Sequence, residues 1–304
     1  MSSTLLDAPV SAVAGSYPKT GPHLSYDESE FRKSFHKQPF LIQHSLCDHP
    51  LFELERLLQL ARELPENHIE YNAGNLPLTV EQALTPRNGL SVEETIRRIE
   101  SCKSWMVLKW VHHDPAYAQL LEECLEQIRP LTEPICPGMR FAQAYIFLTS
   151  PGSVTPYHID PEHNFLLQIR GSKTIHQFNG SDPDVLSPVD LERFYAGRVR
   201  NLEFREEFRQ KSWVYNLEPG QGLHFPVTYP HYVQNGDGIS VSFSITFRTP
   251  DLDKRRMVHQ FNAGLRRWGV TPRPIFQSPL SDLFKYQAVR VGTKLSKIVR
   301  RNED

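Results

Sequence analysis

The sequence is short of cysteine, and of pattern in the cysteine it has. Cys47, Cys102, Cys124 and Cys136 are its 4 cysteines, and they form neither a CxxC pair nor a disulfide-scaffold spacing. A disulfide-stapled fold is therefore excluded, and reduced thiols in the cytoplasm are the expectation. Charge of one sign is also missing: 34 basic residues stand against 35 acidic ones, a formal net charge of -1. That leaves no basic footprint, so no nucleic-acid partner is expected. No apolar run is long enough to span a bilayer, and the first residues lack a basic segment followed by an apolar core. Neither a membrane partner nor a secretory leader is expected. What remains, 304 residues with 39% hydrophobic and 11% aromatic content, suits a soluble globular enzyme built as one large domain with additions, or as two small ones.

Local signals divide the chain. Residues 1–22, rich in Ser, Ala, Pro and Gly, read as a flexible N-terminus. Residues 23–140 mix helices and strands. A helix is expected over Asp27 to Lys37 and a strand over Pro39 to Gln43. Asp48 is placed to cap a leucine-rich helix ending near Leu64, and a strand is expected over His68 to Tyr71. Ser91 and Glu94 form a capping box, Trp105 to Val111 reads as a strand, and Asp114-Pro115 opens a helix reaching about Ile128. Over 141–250 the pattern turns to strands: Ala142 to Thr149, Ser153 to Asp160, Asn164 to Arg170, Lys173 to Phe178, Ser212 to Leu217, Gly222 to Phe225 and Gly238 to Phe247. Arg170-Gly171-Ser172 fits a tight hairpin turn. A polar interval, 180–211, carries a helix over Pro188 to Tyr195. Residues 251–304 return to helix, the last one carrying Lys294, Lys297, Arg300 and Arg301, most simply a solvated final turn. The fold class expected is mainly β with flanking helices (α+β), around a double-stranded β-helix core of cupin or jelly-roll type. In the final strand Ile239, Val241, Phe243, Ile245 and Phe247 share one face, while Ser240, Ser242, Ser244 and Thr246 share the other. The hydroxyl face suits either solvent or a barrel interior that leaves room for a ligand.

Histidine is plentiful, with 13 in the chain. In an extended strand residues two apart point the same way, so His158 and Asp160 can grip one metal ion. An imidazole and a carboxylate are two-thirds of the facial triad that holds non-haem Fe(II) with open positions. His231 is the best candidate for the third ligand; His224 is a rival, better read as a pocket or core residue. A second histidine–aspartate pair, His112-His113-Asp114, is a decoy, because Asp114 is explained as a helix cap. His163 and His176 read as residues near the ligands or on the surface. Lys173 falls on the strand after the turn. Alone it reads as an outward-facing lysine; buried, its ammonium would need a partner.

The stretch from Thr155 to Lys173 resembles the Jumonji-C hydroxylases of the cupin superfamily, the small hydroxylases more than the large histone demethylases. The resemblance covers about 141–248 and implies Fe(II) as metal, with 2-oxoglutarate and O2 as cosubstrates. It makes His158, Asp160 and His231 the catalytic metal ligands. It assigns Lys173 to the distal carboxylate of 2-oxoglutarate, and Thr155, Asn164 and Ser244 to the same pocket. Tyr145, on a strand pointing toward the same barrel, reads either as a core aromatic or as a contact for cosubstrate or substrate. Gln168 and Gly171 also match. Gln221 stands where the family has aspartate, and Ser244 where it has asparagine. The implied function is hydroxylation of a C–H bond in a protein or peptide side chain or a small amino-acid-like metabolite. A cupin-like metal-binding sensor without turnover is the alternative, and a cupin enzyme that needs no 2-oxoglutarate would leave Lys173 idle. A homodimer through the C-terminal helices is a further possibility carried by the resemblance.

Overall fold

The computed structural model describes residues 21–81, 84–197 and 200–301, with side chains as far as Thr293. Residues 1–20 of the expected flexible N-terminus, and the side chains of Lys294, Lys297, Arg300 and Arg301, lie outside the described residues.

In chain order the elements are β1 (Leu24–Ser25), α1 (Glu28–Ser34), β2 (Phe40–His44), α2 (Leu54–Glu63), β3 (Ile69–Ala73), α3 (Val92–Arg97), β4 (Ser104–Leu108) and α4 (Pro115–Thr132). Then come β5 (Arg140–Thr149), β6 (Val154–His158), β7 (His163–Arg170), β8 (Lys173–Gln177), α5 (Pro188–Tyr195), β9 (Trp213–Leu217), β10 (Gln221–Phe225), β11 (His231–Asn235), β12 (Ser240–Arg248), α6 (Pro250–Arg267) and α7 (Pro279–Arg301). Local chemistry sets many boundaries. The Asp27 carboxylate accepts from the Glu30 amide at 2.8 Å to start α1, and Ser91 and Glu94 close a reciprocal capping box on α3. Asp114 caps α4 by accepting from the Ala116 and Tyr117 amides, with Pro115 at the first position.

Several boundaries differ from expectation. Asp48 does not cap α2. His49 caps a 3-10 turn over Pro50–Phe52, and α2 begins after Glu53 without a side-chain cap. Burial of Leu57, Leu58, Leu60 and Ala61 holds that helix in place of a cap. β4 stops at Leu108, because Trp110 takes a left-handed conformation and Val111–His113 form a 3-10 turn. α4 continues past Ile128, with Pro130 inside it, since Leu131 and Thr132 are buried and packing outweighs the lost backbone bond.

All strand pairings are antiparallel, in one sheet ordered β1-β2-β10-β7-β12-β5-β4-β3 and another ordered β6-β11-β8-β9. From β5 onward successive strands cross between the sheets, except at β8–β9, which is the double-stranded β-helix arrangement. The expected hairpin at Arg170-Gly171-Ser172 is therefore a crossover: β7 pairs with β10 and β12, whereas β8 pairs with β9 and β11. Gly171 has φ 67°, and a Cβ there would meet the Ile239 carbonyl oxygen at 2.3 Å, so glycine alone fits this corner.

The main core lies between the large sheet and the N-terminal helices. Val241, Phe243, Ile245 and Phe247 of β12 pack there with Phe31, Phe35, Leu57, Tyr117 and Leu121. His163 and His224 join this aromatic stack: Phe35 lies 4.8 Å from the His163 ring and 5.0 Å from that of His224. His163 is thus a core residue, not a surface one, and neither of its buried ring nitrogens has a hydrogen-bond partner. The opposite face of β12, Ser240, Ser242, Ser244 and Thr246, is buried as well, so the solvent reading of that face fails. The Ser242 hydroxyl donates to Gln168 at 2.7 Å and that of Ser244 to Asn164 at 2.8 Å, which satisfies them inside the barrel.

Candidate metal centre and active-site cleft

Adjacent strands of the small sheet set the histidines side by side. β6 ends on His158, whose register partner on β11 is His231, and their rings lie 4.2 Å apart. Asp160 is not on the strand, which stops at His158. It sits just beyond, where its carbonyl accepts from the Thr228 amide at 2.9 Å. Its Oδ2 lies 3.7 Å from Nε2 of both His158 and His231. Among the described residues this is the cluster of three metal-capable groups, with ligand atoms all within 4.8 Å of one another.

The donor chemistry fits a divalent metal. His158 Nδ1 lies 2.7 Å from the Pro156 carbonyl, and His231 Nδ1 lies 3.0 Å from that of Tyr229. A carbonyl only accepts, so each Nδ1 carries the proton and each Nε2 keeps its lone pair toward Asp160. Burial lowers both imidazoles, His158 to about 3, so they are neutral ligands at neutral pH. For Asp160, burial acts to raise the carboxyl, but the permanent charge of Arg200 and its hydrogen bond work against burial, and the carboxyl is held low, as a carboxylate.

The decoy histidines do not join the cluster. His112 Nδ1 accepts from the Ala144 amide at 3.2 Å, and Asp114 pairs with Arg56 while capping α4. His224 is fully buried, and its Nδ1 is 3.1 Å from the Asn164 carbonyl within the aromatic core. His176 is half-buried and stacks on Tyr232 at 4.5 Å.

Two cavities meet at the cluster. The inner one, about 90 Å³, is lined by His158, Asp160 and His231 and also by Thr155, Asn164 and Lys173. Lys173 opens β8, is only 5% exposed, and has no carboxylate partner among the described residues. Burial alone pushes its ammonium down to about 7. The Thr155 hydroxyl accepts from Trp105 Nε1 at 3.0 Å. The outer cleft, about 1200 Å³, shares Phe147, Asp160, Asn164, Arg200 and Asn201 with the inner cavity. Ser244 and Tyr145 line this outer cleft and not the inner cavity. The Tyr145 hydroxyl donates to Gln143 at 2.6 Å. Glu162 also lines the cleft, its carboxyl raised to about 7 by burial and then by the Asp160 charge.

Sequence reasoning missed two residues here. Asn235, the register partner of Lys173, has a buried Oδ1 with no hydrogen-bond partner. Strand alternation from His231 through Val233 could have found it. Arg200 lies in the polar interval, where no motif marks it. Its Nη2 donates to Asp160 Oδ1 at 3.3 Å, leaving Oδ2 toward the histidines. Arg200→Met should weaken metal affinity by roughly 10–100-fold, the usual effect of losing a partner that orients a ligand. Metal titration of the purified variant checks it, and Arg200→Lys should recover part of the loss.

The chain matches the cupin-like domain family over residues 36–253. It is 33% identical over 102 residues to lysine-specific demethylase 8 of Xenopus tropicalis, a stretch covering 32% of this chain and 22% of that protein. It is 34% identical over 107 residues to Jumonji C domain-containing protein 5 of Drosophila melanogaster, covering 33% of this chain and 26% of that one. The matched stretches thus span about a quarter of the length of these curated relatives. The X-ray structure of E. coli ycfD superposes with a TM-score of 0.50 at 16% identity, covering 89% of this chain and 68% of that one, a likeness of fold. Barrel, strand order and family match agree, and the resemblance read from the Thr155–Lys173 stretch holds: the chain belongs to the cupin-like domain family.

Proposed function

We propose that this chain is an Fe(II)- and 2-oxoglutarate-dependent oxygenase that hydroxylates a C–H bond of a protein or peptide side chain. The observation that carries this reading is one small chamber holding both a His158–Asp160–His231 cluster and the unpaired ammonium of Lys173. Two imidazoles and a carboxylate are the donor set of a facial triad, and a triad keeps positions open for substrate and oxygen. Iron bound there would supply the activation of dioxygen; the protein supplies orientation and a dry cavity. His158, Asp160 and His231 would hold the metal. Lys173 would neutralise the far carboxylate of 2-oxoglutarate, assisted by the Thr155 hydroxyl and by Asn235. Asn164 stands between the chamber and the cleft, where Ser244 holds its side-chain oxygen. Trp105, Phe147, Leu166 and Phe225 wall off water.

The volume of the outer cleft, about 1200 Å³, with relatives named as lysine-specific demethylases, favours a protein side chain over a free amino-acid-like metabolite. Four unpaired cysteines suit a reducing compartment such as the cytoplasm. No helix among the described residues is long and apolar enough to cross a membrane. The exposed Leu280, Phe284 and Val291 of α7 suit a second copy of the chain, a homodimer whose mass light scattering would report.

Anaerobic titration with Fe(II) and then 2-oxoglutarate tests the cosubstrate directly, through the metal-to-ligand charge-transfer band. Succinate release against peptide and amino-acid libraries then tests turnover. Binding of both without succinate from any substrate would favour a sensor over an enzyme.

A further inference from the structure

Beside the outer cleft lies a third cavity, of about 220 Å³, between the end of β12, α5 and α6. It shares Pro161, Phe194 and Gly197 with the cleft, so the two spaces adjoin, and Pro161 follows Asp160 in the chain. Its charged and amide-bearing lining is Arg248, Asp253, Arg256 and Gln260, with Tyr195 beside them. Asp253 is largely buried and already taken: Arg140 Nη2 donates to its Oδ2 at 2.5 Å. Arg248 Nη1 and Arg256 Nη2 each stand 3.6 Å from its Oδ1, an ion-pair distance beyond that of a good hydrogen bond. Three guanidinium groups thus share one carboxylate, an excess of two positive charges. The Arg256 Nε is buried without a hydrogen-bond partner. Glu162, which feels the Arg248 charge, lines the cleft and not this cavity.

Guanidinium groups with spare N–H donors, held in place and short of acceptors, recognise a carboxylate by parallel hydrogen bonds. Arg248 is fixed by stacking over Phe141 at 4.7 Å, while Arg256 is tied to the cavity by its 3.6 Å ion pair with Asp253 and lies one turn before Gln260, whose amide donates to the Tyr195 carbonyl at 3.0 Å. We propose that this cavity is an anion subsite in which Arg248, Arg256 and Gln260 bind a carboxylate of the substrate, an acidic side chain flanking the reacting residue. The word substrate rests on the oxygenase reading; the carboxylate site does not. An acidic group docked there would set which residue of a peptide reaches the metal across Pro161.

The test follows arginine Nε–H resonances by NMR in the full chain carrying Lys173→Met, which removes the chamber's own unpaired cation. Arg248→Gln and Arg256→Gln assign the two signals. Acetyl-aspartate amide should shift both in a saturable way, and acetyl-asparagine amide should not. Arg256→Gln should weaken the aspartate response at least tenfold, with Arg256→Lys in between. Equal responses to the aspartate and asparagine probes, no response to either, or a response to inorganic phosphate alone would each overturn the proposal. The 2-oxoglutarate titration of the unsubstituted chain is independent. Its failure beside an intact aspartate response removes the oxygenase reading and leaves the subsite, while the reverse result removes only the subsite.

Discussion

Lys173→Met should abolish useful binding of 2-oxoglutarate and, at the same time, make the ligand-free protein more stable. Losing one partner of a buried charge pair costs about 2–5 kcal/mol, so affinity should fall on the order of 10²–10³-fold. Metal affinity should be unchanged, because Lys173 is no part of the His158–Asp160–His231 cluster. The stability gain comes from the ammonium that burial pushes from 10.5 down to about 7. Between those two values the unfolded chain holds a proton that the folded one has released, so the stability of the unsubstituted protein rises with pH across this window. The penalty is therefore full below about pH 7 and gone above about pH 10.5. At about 1.4 kcal/mol per pH unit its ceiling is near ~5 kcal/mol, and relaxation of the site should leave about 2–3 kcal/mol. Chemical denaturation of both proteins at pH 6.5 and pH 10 checks the sign. A variant less stable at pH 6.5, or one that still binds 2-oxoglutarate, would remove Lys173 from its role.

His231→Ala should remove the metal. Four-ligand zinc sites bind with roughly 10–16 kcal/mol, about 3 kcal/mol or more per ligand, so one lost ligand should weaken binding by on the order of 10²–10³-fold. Succinate formation should fall with it, since the remaining imidazole and carboxylate no longer define a facial site. The matched control is His224→Phe. His224 packs between Phe35 and Phe40, with ring distances of 5.0 Å to both, so an aromatic replacement keeps the stack and should leave metal affinity alone. Isothermal titration with a divalent metal reads both variants. Equal losses in the two would mean that His231 acts through the fold and not as a ligand.

The legible parts of this molecule were those written in short-range spacing. Period two placed β12 and its two faces. A serine with a glutamate three residues on marked the start of α3, and an aspartate followed by proline marked α4. His158 and Asp160 stood out because they are near neighbours, and Lys173 because a turn lies between. Even there the sequence leaves the route open. A glycine with positive φ serves a hairpin and a crossover equally well, and only the pairing of β7 with β10 and β12, decided far along the chain, separates them. Asp160 likewise reaches the cluster from beyond the strand end, pinned by the Thr228 amide. Arg200, Trp105 and the Arg248–Arg256 pair have no local mark. They meet their neighbours through tertiary packing, and arginine or tryptophan in a polar or strand-like stretch is unremarkable by composition. A histidine beside an HxD invites a place near the ligands or at the surface, whereas His163 fills a gap between Phe35 and Phe247.

The ring stack under the large sheet also fixes how much acid the molecule tolerates. Burial holds His163 well below its ordinary 6.5 and His224 at about 3, so both are neutral in the folded chain. Once unfolded, each would take up a proton below pH 6.5. Two such sites tilt the balance toward the unfolded chain by about 3 kcal/mol for each pH unit of acidification. Against a total of about 5–15 kcal/mol for an ordinary domain, that slope is a sizeable share of the reserve. Storage buffers, acidic elution steps and any passage through an acidic vesicle therefore threaten this barrel through rings that never touch the metal.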